Sequence, residues 1–181
     1  MIRLRKCSVV FAAIAVCSAL ACAQQEKSKR PSPPGSAECK FADGKTVHID
    51  YSRPSVKGRK IFGGLVPYDK EWRTGANEAT TFATNSSLDV GGAKVPGGNY
   101  TLFTIPSKKQ WTLIISKKTG EWGIPYPGPS EDLARVPMRS EELSTPVEQF
   151  TISFERTSPE ACTLRMDWET TRAEVSVREG K

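Results

Sequence analysis

From Tyr100 to Ile115 the chain reads YTLFTIPSKKQWTLII. Two apolar runs, rich in threonine, isoleucine and aromatic residues, flank a polar break at 106–109 that begins with proline. This composition is typical of strands, and a short polar connection is typical of antiparallel neighbours. Because such continuously apolar runs indicate strands that are buried on both faces, we expect them to form the central hairpin of a sheet.

On both sides of this hairpin, apolar and polar residues alternate with a period of two. Leu88-Asp89-Val90 and Ala93-Lys94-Val95 flank Gly91-Gly92, a dipeptide that accepts the positive φ angles of a tight hairpin turn. The same alternation predicts further strands at 46–51, 79–84, 149–155, 162–168 and 173–177.

The stretch 131–143 is compatible with a short helix or an edge strand, and Pro137 argues against either being long. About nine short strands with little helix predict an all-β fold, an antiparallel β-sandwich or a partly open barrel. We assign this fold to a single domain at 37–181.

The N-terminus has the layout of a bacterial export signal. Residues 1–6 carry three basic side chains and no acid, and the apolar run at 9–20 is shorter than the ~20 residues that span a bilayer. Ala19-Leu20-Ala21-Cys22 resembles the lipobox of bacterial lipoproteins, although that family usually has leucine where this chain has Ala19. We therefore assign 1–23 to a lipoprotein-type signal peptide, with cleavage before Cys22 and lipidation of that cysteine.

A second cleavage site competes with this assignment. Ala21-Cys22-Ala23 fits an A-x-A signal and would release a soluble protein that begins at Gln24. The polar, Pro/Ser/Lys-rich stretch 24–36 is typical of a flexible tether, which favours the lipid anchor. Ala23 provides no inner-membrane retention signal, so we expect an exported, periplasmic or cell-envelope protein, specifically an outer-membrane lipoprotein.

Cysteine usage and charge agree with export. Apart from the signal region, Cys39 and Cys162 form an even pair that could close a disulfide in an oxidising compartment. The chain has 26 basic and 20 acidic side chains, and three of the basic ones lie in the signal, which leaves 23 against 20, a net charge of +3. This small excess argues against nucleic acid as a partner.

Motifs of common enzyme classes are absent from the sequence: it has no phosphate-binding glycine loop, no G-x-S-x-G, no H-E-x-x-H and no C-x-x-C. His48 is the only histidine, and its place on a strand predicts a half-exposed surface residue. A zinc site made of Cys39, His48 and Cys162 has the right residue types, but its spacings match no known ligand pattern. We predict no metal and no cofactor.

The residues with the richest chemistry lie between Trp72 and Glu78. Tryptophan offers a flat apolar face, Arg73 a planar fork of donors, Asn77 a donor and an acceptor, and Glu78 an acceptor. Together with Trp122 at the edge, these side chains suit a small ligand such as a saccharide or a carboxylate, and Trp111 and Tyr126 offer further stacking faces. The sequence does not indicate an oligomeric state.

Two other interpretations remain open for these residues. In a structural one, Arg73 pairs with Glu78, Asn77 caps an irregular loop, and the basic run at 57–60 is solvated, as in an envelope protein without a ligand. In a catalytic one, Glu78 and either Asp69 or Glu71 form the carboxylate pair of a glycosidase-like hydrolase. Binding or structure is favoured over catalysis.

The segment YSRPSVKGRKIFGGLVPY at 51–68 and the block WRTGANEAT at 72–80 resemble a bacterial family that is known only as a domain of unknown function. The likeness continues through PGGNYTLFTIP at 96–106, Trp111 and Trp122-Gly123, and covers about Val47 to Val177. The resemblance implies an exported or lipid-anchored protein, of a kind often found in environmental Gram-negative bacteria. It implies no activity.

Overall fold

The computed structural model describes residues 29–180. The described part is almost entirely β-structure, with one short 3₁₀ turn at Pro129–Glu131. The strands are β1 (Pro34–Lys40), β2 (Thr46–Ser52), β3 (Thr80–Thr84), β4 (Leu88–Val90), β5 (Ala93–Val95), β6 (Gly98–Ile105), β7 (Trp111–Ser116), β8 (Asp132–Ser158) and β9 (Ala161–Glu179). No helix in this part is long and apolar enough to cross a membrane.

All neighbouring strands pair antiparallel, in the order β1-β2-β3-β6-β7-β8-β9-β4-β5. The sheet is open, because β1 and β5 lie at its two edges. It folds over on itself as two layers of a sandwich: the first holds β1, β2, β3, β6, β7 and the start of β8, and the second holds the rest of β8, β9, β4 and β5. The predicted all-β sandwich is confirmed, as are the β6–β7 hairpin and the Gly91-Gly92 turn, whose φ angles are 55° and 93°.

β8 connects the layers, and here the sequence prediction for 131–143 was wrong. Residues Asp132–Met138 pair with β7, and from Arg139 onwards the same strand pairs with β9. Pro137 lies opposite Thr112 inside this long strand. The strand continues through the proline because Val136 and Met138 are buried while Pro137 between them is exposed, which is the period expected of a strand over a core.

β1 begins at Pro34, inside the stretch predicted as a tether at 24–36, so the folded domain starts before residue 37. The chain pairs along the full length of β2, with Pro34 opposite Ser52 and Lys40 opposite Thr46. The apolar content of this strand is low, with only Cys39 buried, which is why its composition resembles that of a linker. Residues 24–28 lie outside the described part, as does the whole predicted signal peptide.

The core lies between the layers and is closed by two links. Tyr51 of β2 donates its hydroxyl proton to the carbonyl oxygen of Ile152 (3.2 Å) and accepts a hydrogen bond from the Ile152 amide (2.9 Å). Cys39 of β1 is bonded to Cys162 of β9, with 6.6 Å between their Cα atoms. Because both cysteines are joined in a disulfide, they cannot act as thiolate zinc ligands beside His48.

Candidate functional site

The 72–79 loop, which precedes β3, pairs with the backbone of β6 through Trp72. Trp72 and Thr104 exchange two backbone hydrogen bonds, of 2.8 and 2.9 Å. The pairing of β3 with β6 begins only at Thr80, so Trp72 pairs with a part of β6 that β3 does not reach. Successive residues of an extended chain point to opposite faces of a sheet. This single pairing therefore sends the side chains of Trp72 and Arg73 in opposite directions.

Trp72 is partly buried and packs against the core. Its indole stacks on Trp168 at 5.7 Å, meets the rings of Phe62, Trp111 and Phe150 edge-on at 5.1 to 6.5 Å, and donates its Nε1 proton to the carbonyl of Gly75 at 3.1 Å. Trp111, another predicted stacking face, is buried in the same cluster. Both tryptophans therefore pack in the aromatic cluster between the layers.

Thr74 holds the loop in an unusual conformation. Its φ angle is 55°, a region in which a β-branched residue is strained. The side chain is fully buried, and its hydroxyl lies 3.2 Å from that of Thr104 and 3.3 Å from the carbonyl oxygen of Trp72. Thr80 donates a hydrogen bond of 2.7 Å to the Thr74 carbonyl. These bonds keep a backbone shape that orients the residues on both sides.

Asn77 and Glu78 fasten the incoming chain to this loop. Asn77, at φ 56°, donates from Nδ2 to the carbonyl of Ser32 (3.0 Å) and to the hydroxyl of Ser52 (3.2 Å). Glu78 accepts hydrogen bonds of 2.9 and 2.8 Å from Nη1 of Arg30, so Arg30 takes the place in which Arg73 was expected. The side chains of this ion pair are 35% and 40% exposed, and nothing in this geometry favours Glu78 as a hydrolase acid.

Arg73 points to the outer face of the first layer, below the loop at 117–128 that follows β7. We call this loop the covering loop. A Cβ atom on Gly123 would lie 2.9 Å from the Cβ atoms of Arg73 and Ala79, so this glycine allows the loop to approach closely. Nη1 of Arg73 is buried and has no hydrogen-bond partner in the described part of the chain. Burial alone lowers the pKa of its guanidinium. The guanidinium of Arg73 nevertheless stays protonated, as arginine does in proteins. Its buried Nη1 is therefore a charged donor that has no acceptor among the described residues.

The covering loop also holds a buried acceptor without a partner among the described residues. The Ala79 amide donates to the Glu121 carbonyl at 3.2 Å, which places Glu121 against the start of β3. Oε2 of Glu121 is also buried without a partner among residues 29–180. Trp122, the next residue, is 55% exposed. Of the five predicted binding residues, Arg73 therefore lies under the loop that presents Trp122, and Glu121 is a polar residue of that loop that sequence reasoning missed.

Tyr126 closes the same loop over the sheet. Its ring meets Phe103 edge-on at 5.2 Å, its hydroxyl donates to Oδ1 of Asp132 at 2.5 Å, and it accepts from Nη2 of Arg135 at 2.9 Å. Burial first, and then the hydrogen bond to Asp132, raise the pKa of Tyr126 to about 12. The ring was predicted as a stacking face, and these contacts show that it anchors the covering loop.

Two clefts lie elsewhere on the surface, and none of the five predicted residues lines them. The smaller has a volume of about 250 Å³ and is lined by Phe62, Tyr68, Ser107, Lys108, Lys109, Trp111, Ser140, Glu141, Glu142, Thr170 and Thr171. The larger, of about 710 Å³, is an open depression beside the β4–β5 hairpin and the end of β9. His48 lies on the outer face of β2 with Nε2 3.0 Å from Asp50, as expected of a half-exposed strand histidine. In 29–180 no three potential metal ligands are grouped together.

Comparison with known proteins identifies a family but no activity. No curated protein and no solved structure matches the chain. The family model described as "Protein of unknown function (DUF2911)" matches residues 32–177, which include all nine strands except the last two residues of β9. The match also includes Arg73, Glu121 and Trp122. The chain belongs to this DUF2911 family, whose function is unknown.

Proposed function

We propose that the chain is an exported, lipid-anchored binding module of the cell envelope, and that Arg73 receives a carboxylate or phosphate group of its ligand. The observation that carries this proposal is the buried Nη1 of Arg73, which has no acceptor among the described residues. Export and lipidation are supported by the signal-like N-terminus and by the lipobox-like residues that end at Cys22.

An anionic ligand is favoured by the energetics of the arginine. Leaving a buried donor unpaired costs about 1–3 kcal/mol, and more when the donor is charged. A guanidinium presents its donors in a planar fork that matches the two oxygens of a carboxylate or a phosphate. Binding such a group would supply the missing acceptor and the missing countercharge in one step.

Glu121 narrows the chemical class further. Its buried Oε2 accepts hydrogen bonds and finds no donor within residues 29–180. A ligand that satisfies both side chains carries an anionic group and a nearby donor, such as a hydroxyl or an ammonium. Hydroxy acids, amino acids and acidic sugars have this combination, and they include the carboxylate and saccharide ligands expected from the sequence.

The test is the melting temperature of the mature protein with and without millimolar hydroxy acids, amino acids, acidic sugars and phosphate. A ligand that binds only the folded state, at a hundred times its dissociation constant, adds about 2.7 kcal/mol and raises the melting temperature by several degrees. Arg73→Gln should abolish this shift. The matched control is Arg178→Gln, because Arg178 is exposed and its Nε bonds only to the nearby Ser176.

The unliganded variants separate binding from structure. If Arg73 serves a ligand, Arg73→Gln without ligand should be as stable as the wild type or more stable, since it removes a buried donor that has no acceptor among the described residues. If Arg73→Gln is destabilised and no anion shifts the wild type, Arg73 has a folding role and the proposal fails.

A further inference from the structure

Two large apolar side chains are exposed on the loop that covers Arg73. Trp122 is 55% exposed and Ile124 is 66% exposed. Gly123 between them is buried against Arg73 and Ala79, so the backbone faces the domain and both side chains face outwards. We call Trp122 and Ile124 the Trp122 surface. Neighbouring apolar residues of this size at a surface commonly mark a site of interaction.

The N-terminal chain enters the domain beside the Trp122 surface. Arg30 is ion-paired with Glu78 at 2.8 Å, and the Ser32 carbonyl accepts from Asn77 at 3.0 Å. Glu78 is followed by Ala79, whose amide bonds to the carbonyl of Glu121. The path from the entering chain to Trp122 thus has two contacts, the Arg30–Glu78 ion pair and the Ala79–Glu121 hydrogen bond. The ion pair fixes the entering chain at this side of the domain.

The chain between this point and the proposed anchor is short. The eight residues from Ala23 to Arg30 span at most about 28 Å even when fully extended. A compact domain of this length is roughly 40 Å across. A lipid on Cys22 therefore keeps the side of the domain that carries Arg30 towards the bilayer and prevents the opposite end from reaching it.

We propose that the Trp122 surface docks on the lipid bilayer that holds the Cys22 anchor, an inference that rests on the proposed lipidation. Tryptophan is favoured at the boundary between headgroups and acyl chains, where its ring is apolar and its N–H finds a polar partner. Lys117 and Lys118 are exposed earlier in the same loop, and Lys29 is exposed next to Arg30. Their charges suit a surface with anionic lipids.

The experiment measures the depth of single fluorophores in the lipidated protein. The Trp122→Cys variant offers one free thiol, since Cys39 and Cys162 are bonded and Cys22 carries the lipid. The thiol is labelled with an environment-sensitive dye, and the protein is placed in vesicles of phosphatidylethanolamine and phosphatidylglycerol that contain a doxyl-labelled quencher lipid. Ile124→Cys provides a second position on the same surface.

The matched control is Thr157→Cys, an exposed position at the end of β8, next to the β8–β9 turn. This turn contacts the far end of β1, since the Ala42 amide donates to the Pro159 carbonyl at 3.0 Å. β1 has seven residues, so the turn lies about 20 Å or more from the end at which the chain enters. Melting temperatures of the three variants confirm that each is folded.

The inference requires a several-fold stronger quenching and a blue-shifted emission at positions 122 and 124, and neither at position 157. If quenching is equal at all three positions, the docking inference is overturned. If the N-terminal peptide of the same protein carries the mass of the lipid, the proposed anchor still stands. A mature chain that begins at Gln24 without lipid overturns the anchor, and the docking inference with it.

Discussion

Trp72 stacks on Trp168, with ring centroids 5.7 Å apart and planes inclined by 18°. Trp72 is bonded to β6 in the first layer and Trp168 lies on β9 in the second, so this pair joins the two halves of the sandwich. We predict that Trp72→Ala lowers the free energy of unfolding by about 3–5 kcal/mol, because it leaves a cavity in the aromatic cluster. Urea unfolding measures the loss.

The control for this substitution is Trp122→Ala, which removes an exposed indole and should change stability by no more than about 0.5 kcal/mol. The two tryptophans thus have opposite roles although both were expected at one binding site. If Trp72→Ala keeps its stability and loses a ligand-induced melting shift, the indole is a binding face after all.

Local patterns in the sequence were sufficient to predict most of the fold. Period-two alternation and the Gly91-Gly92 turn are local properties, and the strands they predict are present. The 27-residue length of β8 is not a local property of the sequence. The strand extends through Pro137 because it pairs first with β7 and then with β9. The signal peptide and Cys22 lie outside the described residues, so their prediction stands on the sequence alone.

The site was harder to predict because orientation depends on distant contacts. Trp72 and Arg73 point in opposite directions because Trp72 pairs with Thr104, which is 32 residues away in sequence. Glu78 pairs with Arg30, a residue assigned to a tether. Glu121 lies next to the predicted Trp122 in sequence, but only the fold brings it against Ala79.

We predict that the disulfide contributes about 4–5 kcal/mol to stability, since it closes a separation of 123 residues and restricts the unfolded chain. The Cys39→Ala/Cys162→Ala double variant should lose this amount in guanidinium unfolding. Adding a reductant should destabilise the wild type by a similar amount and leave the double variant unchanged. Equal stability of both proteins without reductant would show that the bond adds nothing to the stability of the fold.

Thr74 provides a test of the strained loop. Thr74→Val keeps the β-branched shape, and hence the strain at φ 55°, but removes the hydroxyl that bonds to Thr104 and to the Trp72 carbonyl. We expect a loss of about 1–3 kcal/mol, because the hydroxyl of Thr104 and the surrounding buried polar atoms lose a partner. Thr74→Ser keeps the hydroxyl and should stay within about 1 kcal/mol of the wild type. A valine variant as stable as the wild type would contradict a role for these bonds.

Tyr126 makes stability depend on alkaline pH. Its phenol titrates at about 10 in an unfolded chain, whereas burial and the hydrogen bond to Asp132 raise the pKa of Tyr126 to about 12 in the fold. The fold therefore favours the neutral phenol. Below about pH 10 both states are protonated and the contribution of Tyr126 is fully present; as the pH rises from about 10 to about 12, the unfolded chain releases its proton first and stability falls.

The comparison that isolates this residue is Tyr126→Phe against the wild type in urea unfolding at several pH values across that window. Lysines titrate in the same range, but they are common to both proteins, so the difference between the two curves belongs to Tyr126. The variant should start lower, because Asp132 loses a hydrogen bond, and should then decline less steeply with pH. Parallel curves would mean that the ionisation of Tyr126 does not change the stability of the fold. The Asp132–Arg135 ion pair alone would then anchor the covering loop.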